Sequence, residues 1–175
     1  MSEMALKEEE QRQSQQMMQE IKDNSITLME KMDDIVWSIN PGNDSFENLM
    51  LRIQRFAAKL FEAKNIEYDI GIDENIRHIR LPMEHRQHIY LIMKESINNL
   101  VKYSGCSRAA IKALYMDQQL LIKISDNGKG FDTSIRANGN GLVSMRNRAN
   151  AIKGRLDLES ESGLGTVVQL AVKIK

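Results

Sequence analysis

The chain has 175 residues and carries 24 lysines and arginines against 24 aspartates and glutamates, so a general nucleic-acid-binding protein with a basic surface is not indicated. Hydrophobic residues make up 42% and charged residues 27%, a composition typical of a folded protein and unlike that of disordered chains. The lone Cys106 excludes an internal disulfide, and the absence of a signal peptide or a long apolar run predicts a soluble, cytoplasmic chain.

The first forty residues differ in kind from the rest. They carry nine acidic and four basic residues, whereas residues 41–175 carry fifteen acidic and twenty basic ones. Apolar residues here recur at alternating spacings of three and four, with the polar Ser25 at one position of the series, as in the seam of a coiled coil or helix bundle: Met18, Ile21, Leu28, Met32, Ile35 and Ile39. Pro41 and Gly42 follow as helix breakers. The sequence therefore predicts a long coiled-coil-type helix over residues 1–40.

The remaining elements alternate between helical and strand patterns. Asp44, with Glu47 three residues later, predicts the start of a second helix. A strand is predicted over residues 66–72, and a long helix from Pro82 towards Gly105. Two paired strands, a glycine-rich stretch, a helix and two more strands follow. This order predicts an α+β fold, a two-layer α/β sandwich with helices on one face of a mixed sheet.

The polar face of the long helix is the first candidate site. Glu95 and Asn99 stand four residues apart, so both side chains can reach one site. By spacing alone a solvated face is the commoner explanation. Asn98 and Asn99 are nevertheless poor helix formers, and no cap explains them. An asparagine carbonyl oxygen can bind Mg²⁺ and leave room for nucleotide phosphates, so a metal-nucleotide site is the alternative.

Glycine-rich stretches form the other candidates. Residues 126–130 read Asp-Asn-Gly-Lys-Gly after a β-rich run. By itself this indicates a turn, but an aspartate at a strand end can also accept a hydrogen bond from the amine of a base. Residues 138–142 read Asn-Gly-Asn-Gly-Leu and lead into a helix, whose N-terminus favours phosphate. Neither these nor the Gly-Leu-Gly-Thr of residues 163–166 has Walker or dinucleotide-fingerprint spacing.

Taken in order, the motifs KESINNLVKYS, DNGKGF, GNGLVSMRNRA and GLGT resemble the ATP-binding catalytic domain of sensor histidine kinases, the GHKL or Bergerat fold. The resemblance covers residues 66–175 and is closer to the subfamily whose N box begins with Glu. The stretch MDDIVWSINPGNDSFENL resembles the end of that subfamily's dimerisation helix and its linker. The resemblance implies a second dimerisation helix over residues 1–40, a linker and first catalytic helix over 41–65, and the remaining catalytic domain over 66–175.

The resemblance also implies a role for each residue of a site for ATP and Mg²⁺. Asn99 would bind Mg²⁺, and Glu95 would position or activate the attacking group. Asp126 would accept from the adenine amino group, with Thr166 supporting it. The other implied ATP-binding residues contact a phosphate, flank the adenine or hinge a lid over the phosphates: Lys102, Tyr103, Gly128, Gly130, Phe131, Gly139, Gly141 and Leu142.

The sequence departs from the family pattern in three respects. Tyr103 stands where the subfamily often has histidine, and Ser144 where a glycine is frequent. The acceptor histidine of such kinases precedes an acidic residue, whereas His78, His85 and His88 do not. The resemblance thus implies a fragment that transfers the γ-phosphoryl group of Mg-ATP to a histidine on a dimerisation helix missing from this sequence.

The implied partners are that phosphoacceptor helix, a response regulator and a second copy in a homodimeric parent. No direct nucleic acid is implied, and membrane contact comes only through absent parts, so the chain would be the cytoplasmic portion of a membrane-anchored sensor. Two alternatives are another enzyme of the same fold, such as a serine-directed anti-sigma-factor-like kinase, and a non-catalytic dimeric interaction module. The DIVWSINP helix end argues against the first, and the presence of both Glu95 and Asn99 argues against the second.

Overall fold

The computed structural model describes residues 2–76, 79–133 and 140–174. The chain divides into two compact units, Met1–Asn40 and Pro41–Lys175. His78 and Gly139, both singled out in the sequence, lie outside the described residues. None of the described helices has an apolar stretch of the length and hydropathy that crossing a bilayer requires.

The first unit is a single helix, α1 (Ser2–Ile39), which confirms the long N-terminal helix. Its apolar seam is exposed, with exposed fractions of 50–65% for the six residues that define it: Met18, Ile21, Leu28, Met32, Ile35 and Ile39. A helix with such a seam gains most of its stability when the seam packs against another surface.

The second unit contains three α-helices, a π-helical turn and five strands within the described residues. They are α2 (Phe46–Ala63), β1 (Glu67–Ile72), α3 (Met83–Asn99), the π-helical turn (Leu100–Ser104), β2 (Arg108–Met116), β3 (Gln119–Asp126), α4 (Asn140–Ala151), β4 (Arg155–Glu161) and β5 (Gly165–Lys173). Two short 3₁₀ segments, Pro41–Asn43 and Glu74–Ile76, precede α2 and α3. The order of helices and strands confirms the α+β prediction.

The five strands form one mixed sheet in the order β1-β2-β3-β5-β4. β1 runs parallel to β2, and the other neighbours are antiparallel. The register pairs Asp126 with Thr166, and it places Val168 between Ile124 and Leu158. Because side chains two residues apart share a face, Ile124 and Asp126 point to the same side of the sheet.

The core lies between the helices and the sheet. It includes buried apolar residues from both layers: Leu49, Ile53 and Phe61 of α2, Ile89, Ile92 and Ile97 of α3, and Ile111, Ile122 and Leu170 of the sheet. The buried residues of α3 hold one side of this helix in the core. Glu95 and Asn99 are only half-buried, so the helix carries them at the edge of that core.

The start of α2 differs by one residue from the prediction. The cap is Ser45, whose hydroxyl accepts the backbone N–H of Asn48 at 3.2 Å. Asp44 instead pairs with Arg80 at 2.7 Å, and its carbonyl accepts the N–H of Leu81. Either residue type can cap a helix, so the long-range contact to Arg80 decides which one does.

Candidate functional site

One cavity of about 770 Å³ lies among α3, the π-helical turn, the sheet and the first turn of α4. This volume lies within the range of small-molecule sites. Lys102 and Gly128 are not among its lining residues, and Gly139 lies outside the described residues. The cavity brings together the other predicted site residues: Glu95, Asn99, Tyr103, Asp126, Gly130, Phe131, Gly141, Leu142 and Thr166.

The π-helical turn determines how the end of the long helix faces the cavity. It directly follows Asn99 and carries Leu100, Tyr103 and Ser104 on the cavity wall. Gly105 then ends the turn with a φ of +62°, a conformation that favours glycine. Such turns occur frequently at functional sites, and here the turn lies beside the residues predicted to bind a metal and a base.

Asp126 is a half-buried carboxylate at the end of β3. Its Oδ1 accepts the backbone N–H of Gly128 at 2.8 Å, and the backbone N–H of Thr166 also donates to this side chain. Burial raises the pKa of Asp126 above its ordinary value, and the two backbone hydrogen bonds oppose that shift. Gly128 therefore acts on the cavity through Asp126 instead of lining it.

The loop after β3 contacts the start of β2 on one side and the end of β4 on the other. The side-chain oxygen of Asn127 accepts the backbone N–H of Arg108 at 2.8 Å, which ties the loop to the start of β2. Gly130 has a φ of +57°, and a Cβ there would overlap the carbonyl oxygen of Glu161. This position requires glycine, because any side chain would push the loop away from β4.

The first turn of α4 packs directly on Glu95. A Cβ at Gly141 would overlap the carboxylate oxygen of Glu95, and it would lie 3.6 Å from the side-chain nitrogen of Asn99. A carboxylate near a helix N-terminus interacts favourably with the helix dipole. Glycine at position 141 therefore lets α4 begin against the two residues that the sequence singled out on α3.

Sequence reasoning missed part of the lining. Ile124, Val168 and Leu158 form one apolar patch because they are successive partners across β3, β5 and β4. Their alternation predicts strands, but only the strand order brings them together. The other lining residues without a predicted role are Ser96, Leu100, Ser104, Lys129, Asp132, Asn140 and Met145.

The ionisable side chains give the cavity an excess of negative charge. Among the described residues that line it, Glu95, Asp126 and Asp132 are carboxylates, and Lys129 is the one cation. Within the same described part of the chain, no three His, Cys, Asp or Glu side chains converge to hold a metal ion. An anionic ligand would therefore enter this cavity most readily together with a cation.

The family of histidine kinase-, DNA gyrase B- and HSP90-like ATPases matches residues 84–175, more than half of the chain. Over 106 residues the chain is 31% identical to the sensor histidine kinase LiaS of Bacillus subtilis (strain 168), covering 60% of this chain and 29% of LiaS. Over 116 residues it is 29% identical to the signal transduction histidine-protein kinase/phosphatase DegS of Brevibacillus brevis, covering 63% of this chain and 30% of DegS.

A solved structure of full-length ShkA in complex with AMPPNP shares the fold. It superposes with a TM-score of 0.63 at 18% identity, and the match covers 74% of this chain and 30% of ShkA. The chain spans less than a third of the length of the two curated relatives. The chain belongs to the histidine kinase-, DNA gyrase B- and HSP90-like ATPase family, and it carries an ATP-binding domain of the GHKL histidine kinase type.

Proposed function

We propose that this chain is the ATP-binding catalytic part of a two-component sensor histidine kinase. It transfers the γ-phosphoryl group of Mg-ATP to a histidine on a dimerisation helix, for onward transfer to a response regulator. The observation that carries the proposal is the meeting of Asp126, Asn99 and Glu95 in one cavity beside the N-terminus of α4. The curated relatives, both histidine kinases, and the AMPPNP complex of ShkA support it.

Asp126 and the apolar patch are suited to an adenine ring. The carboxylate can accept a hydrogen bond from the exocyclic amino group of adenine. A purine with a carbonyl at that position lacks this donor. Ile124, Val168 and Leu158 supply an apolar surface for the ring. Thr166 holds Asp126 through its backbone N–H, so the acceptor keeps its orientation.

Asn99 is suited to hold Mg²⁺ together with the phosphates. Mg²⁺ prefers oxygen ligands and is usually bound by one or two protein groups plus phosphate oxygens, and the amide oxygen of Asn99 supplies such a ligand. When bound, the ion neutralises charge on the phosphates. The excess of carboxylates over lysine in the cavity makes that neutralisation necessary.

Glu95 lies one turn before Asn99 and acts on the attacking group. In the transfer, one ring nitrogen of the acceptor histidine forms a bond to the γ-phosphorus, and the bond from that phosphorus to the β–γ bridging oxygen breaks. ADP departs with the bonding electrons. The carboxylate of Glu95 takes the proton from the other ring nitrogen. Phosphoryl transfer depends mainly on positioning and charge stabilisation, so few side chains are needed.

The α1 helix supports a dimeric parent protein. Its seam residues Met18, Ile21 and Leu28 are each at least 60% exposed, a pattern suited to packing against a dimerisation helix. A second copy of the parent kinase and the helix that bears the acceptor histidine are the proposed partners of α1.

Calorimetric titration of ATP with and without Mg²⁺ tests the nucleotide site. We expect saturable binding that Mg²⁺ strengthens, and loss of the Mg²⁺-dependent gain in Asn99→Ala. Asn98→Ala is the matched control, because Asn98 precedes Asn99 on α3 but does not line the cavity. Equal Mg²⁺ enhancement in wild type and Asn99→Ala would contradict the assignment of Asn99.

Transfer itself is measured with ATP labelled at the γ-phosphate and a supplied histidine-bearing helical hairpin. Acid-labile label on the hairpin is expected from wild type, and nearly none from Asn99→Ala. The chain alone should stay unlabelled. Acid-stable label on serine would favour the serine-directed alternative, and acid-labile label on the chain alone would contradict the proposed need for a separate acceptor.

A further inference from the structure

A second cavity, of about 460 Å³, lies between α3 and α4. Three pairs of residues bring the two helices together here: Gly141 meets Glu95, Met145 meets Ser96, and Arg148 lies by His88. The lining residues are His88, Asn140, Val143, Ser144, Asn147 and Arg148. Asn140 also lines the larger cavity, so the two cavities adjoin at the first turn of α4.

Within the described residues, this second cavity offers polar groups that can donate hydrogen bonds to a ligand. Arg148 is half-buried and makes neither an ion pair nor a hydrogen bond within the described residues. The Nδ1 atom of His88 is buried and likewise has no hydrogen-bond partner in the described part of the chain. That atom is out of a ligand's reach, so other atoms of the imidazole line the cavity, and the guanidinium of Arg148 keeps donors for a ligand.

The charge around the cavity favours an anion. No carboxylate is among the described residues that line it, whereas Arg148 contributes a permanent positive charge. Glu84 is the acidic residue whose charge acts on His88, and it is exposed on the turn before it. A guanidinium flanked by an amide, a hydroxyl and an imidazole matches the several acceptor oxygens of a phosphate.

We propose that this second cavity is a phosphate-binding subsite in which Arg148 supplies the charge and Asn147 and His88 supply neutral donors. Its ligand is a phosphate group, either free or at the end of a nucleotide that occupies the adjoining cavity. The second source rests on the proposed function, whereas binding of free phosphate does not.

Titration with inorganic phosphate tests the subsite in the complete chain. The readout is the NMR signals of residues 144–148 and of the His88 ring, at constant ionic strength. Saturable shifts in the millimolar range are expected. Arg148→Gln should weaken binding about tenfold or more, since it removes a charged hydrogen bond. Arg146→Gln is the matched control, because Arg146 is exposed on the same helix and does not line the cavity; it should change the affinity less than about twofold.

Absence of saturable shifts up to about 50 mM phosphate would overturn the proposal. Equal weakening by the two arginine variants would overturn it as well, because it would indicate a diffuse charge effect. If Arg148→Gln fails to fold by circular dichroism, Asn147→Ala takes its place, since Asn147 is exposed; about a threefold or greater loss is expected there, and no loss would refute the subsite.

Two further measurements distinguish the sources of the phosphate from each other and from the proposed function. If the ligand is a nucleotide's terminal phosphate, Arg148→Gln lowers the affinity for ATP more than that for ADP. If it is free phosphate, Arg148→Gln affects the affinities for the two nucleotides equally while still weakening the binding of inorganic phosphate. Failure of wild type to bind ATP, with phosphate binding intact, would refute the proposed function and leave the subsite standing.

Discussion

Replacing Asp126 with asparagine tests whether this side chain recognises the adenine amino group. The carboxylate already accepts two backbone N–H groups, from Gly128 at 2.8 Å and from Thr166. The adenine amino group is a third donor. An asparagine oxygen has two lone pairs, so it cannot serve all three donors, and the amide nitrogen must face one of them. Losing a hydrogen bond to a charged acceptor costs about 1.5–3 kcal/mol, which is about 10- to 150-fold in affinity.

Calorimetry with ATP and with inosine triphosphate gives the assay, because inosine has a carbonyl in place of the amino group. Wild type should prefer ATP, whereas Asp126→Asn should lose affinity for ATP and little for inosine triphosphate. Asp157→Asn is the control, since Asp157 pairs with Arg155 at 2.8 Å and does not line the cavity. An equal loss for both nucleotides, or none, would refute the reasoning about the amino group.

The same variant has a stability signature that is independent of nucleotide. Burial raises the pKa of Asp126 in the folded state above its pKa in the unfolded chain. The buried ionised carboxylate therefore lowers the free energy of unfolding at neutral pH. This cost disappears once the pH falls below the pKa of Asp126 in the unfolded chain, because both states are then protonated. Asp126→Asn should therefore melt no lower than wild type at pH 7. A clearly lower melting temperature would mean that lost hydrogen bonds outweigh the relief of the buried charge.

Two further predictions concern stability. Gly130→Ala should lower the free energy of unfolding by about 2 kcal/mol or more, because of its positive φ and the overlap with Glu161; Gly71→Ala, with no atom within 4 Å of the added carbon, should stay within about 0.5 kcal/mol. Equal urea midpoints for the two variants would contradict this. Burial, and then the charge of Arg148, lowers the pKa of His88 in the folded protein. The unfolded chain therefore protonates His88 more readily than the folded protein does, and wild type loses stability as the pH falls below about 6.5. His88→Gln should show a shallower loss in melting temperature between pH 7 and pH 5, and parallel curves would refute it.

The order of helices and strands could be predicted because its signals are local. Pro41 and Pro82 stand where helices change, and alternation marks the strands. The cap of α2 could not be placed to the residue, because Asp44 and Ser45 are both good caps and the choice depends on Arg80, which is distant in sequence.

The cavity could be predicted only where one segment contributes several residues. Glu95 and Asn99 follow from helical spacing, and Asp126 follows from its place at a strand end. Val168 and Leu158 depend on the strand order, in which β5 lies between β3 and β4. Lys102 is exposed and not among the lining residues because the turn after Asn99 is π-helical, so each residue there advances less around the axis. Its implied contact with a phosphate stays a prediction.

The position of Glu95 connects the chemistry of the site to its need for a cation. Its carboxylate lies against the first turn of α4, the helix whose N-terminus the sequence singled out for phosphate. A triphosphate entering there meets that carboxylate and, nearby, Asp126 and Asp132, with Lys129 alone to offset them among the described lining residues. Adenosine has no phosphates and meets no such repulsion, so its affinity should not depend on Mg²⁺. The affinity for ATP should depend on Mg²⁺, because contacts to the adenine do not offset the repulsion between its phosphates and the carboxylates. The same carboxylate that opposes the bare triphosphate is then placed to take a proton from the acceptor histidine once the phosphate charge is neutralised.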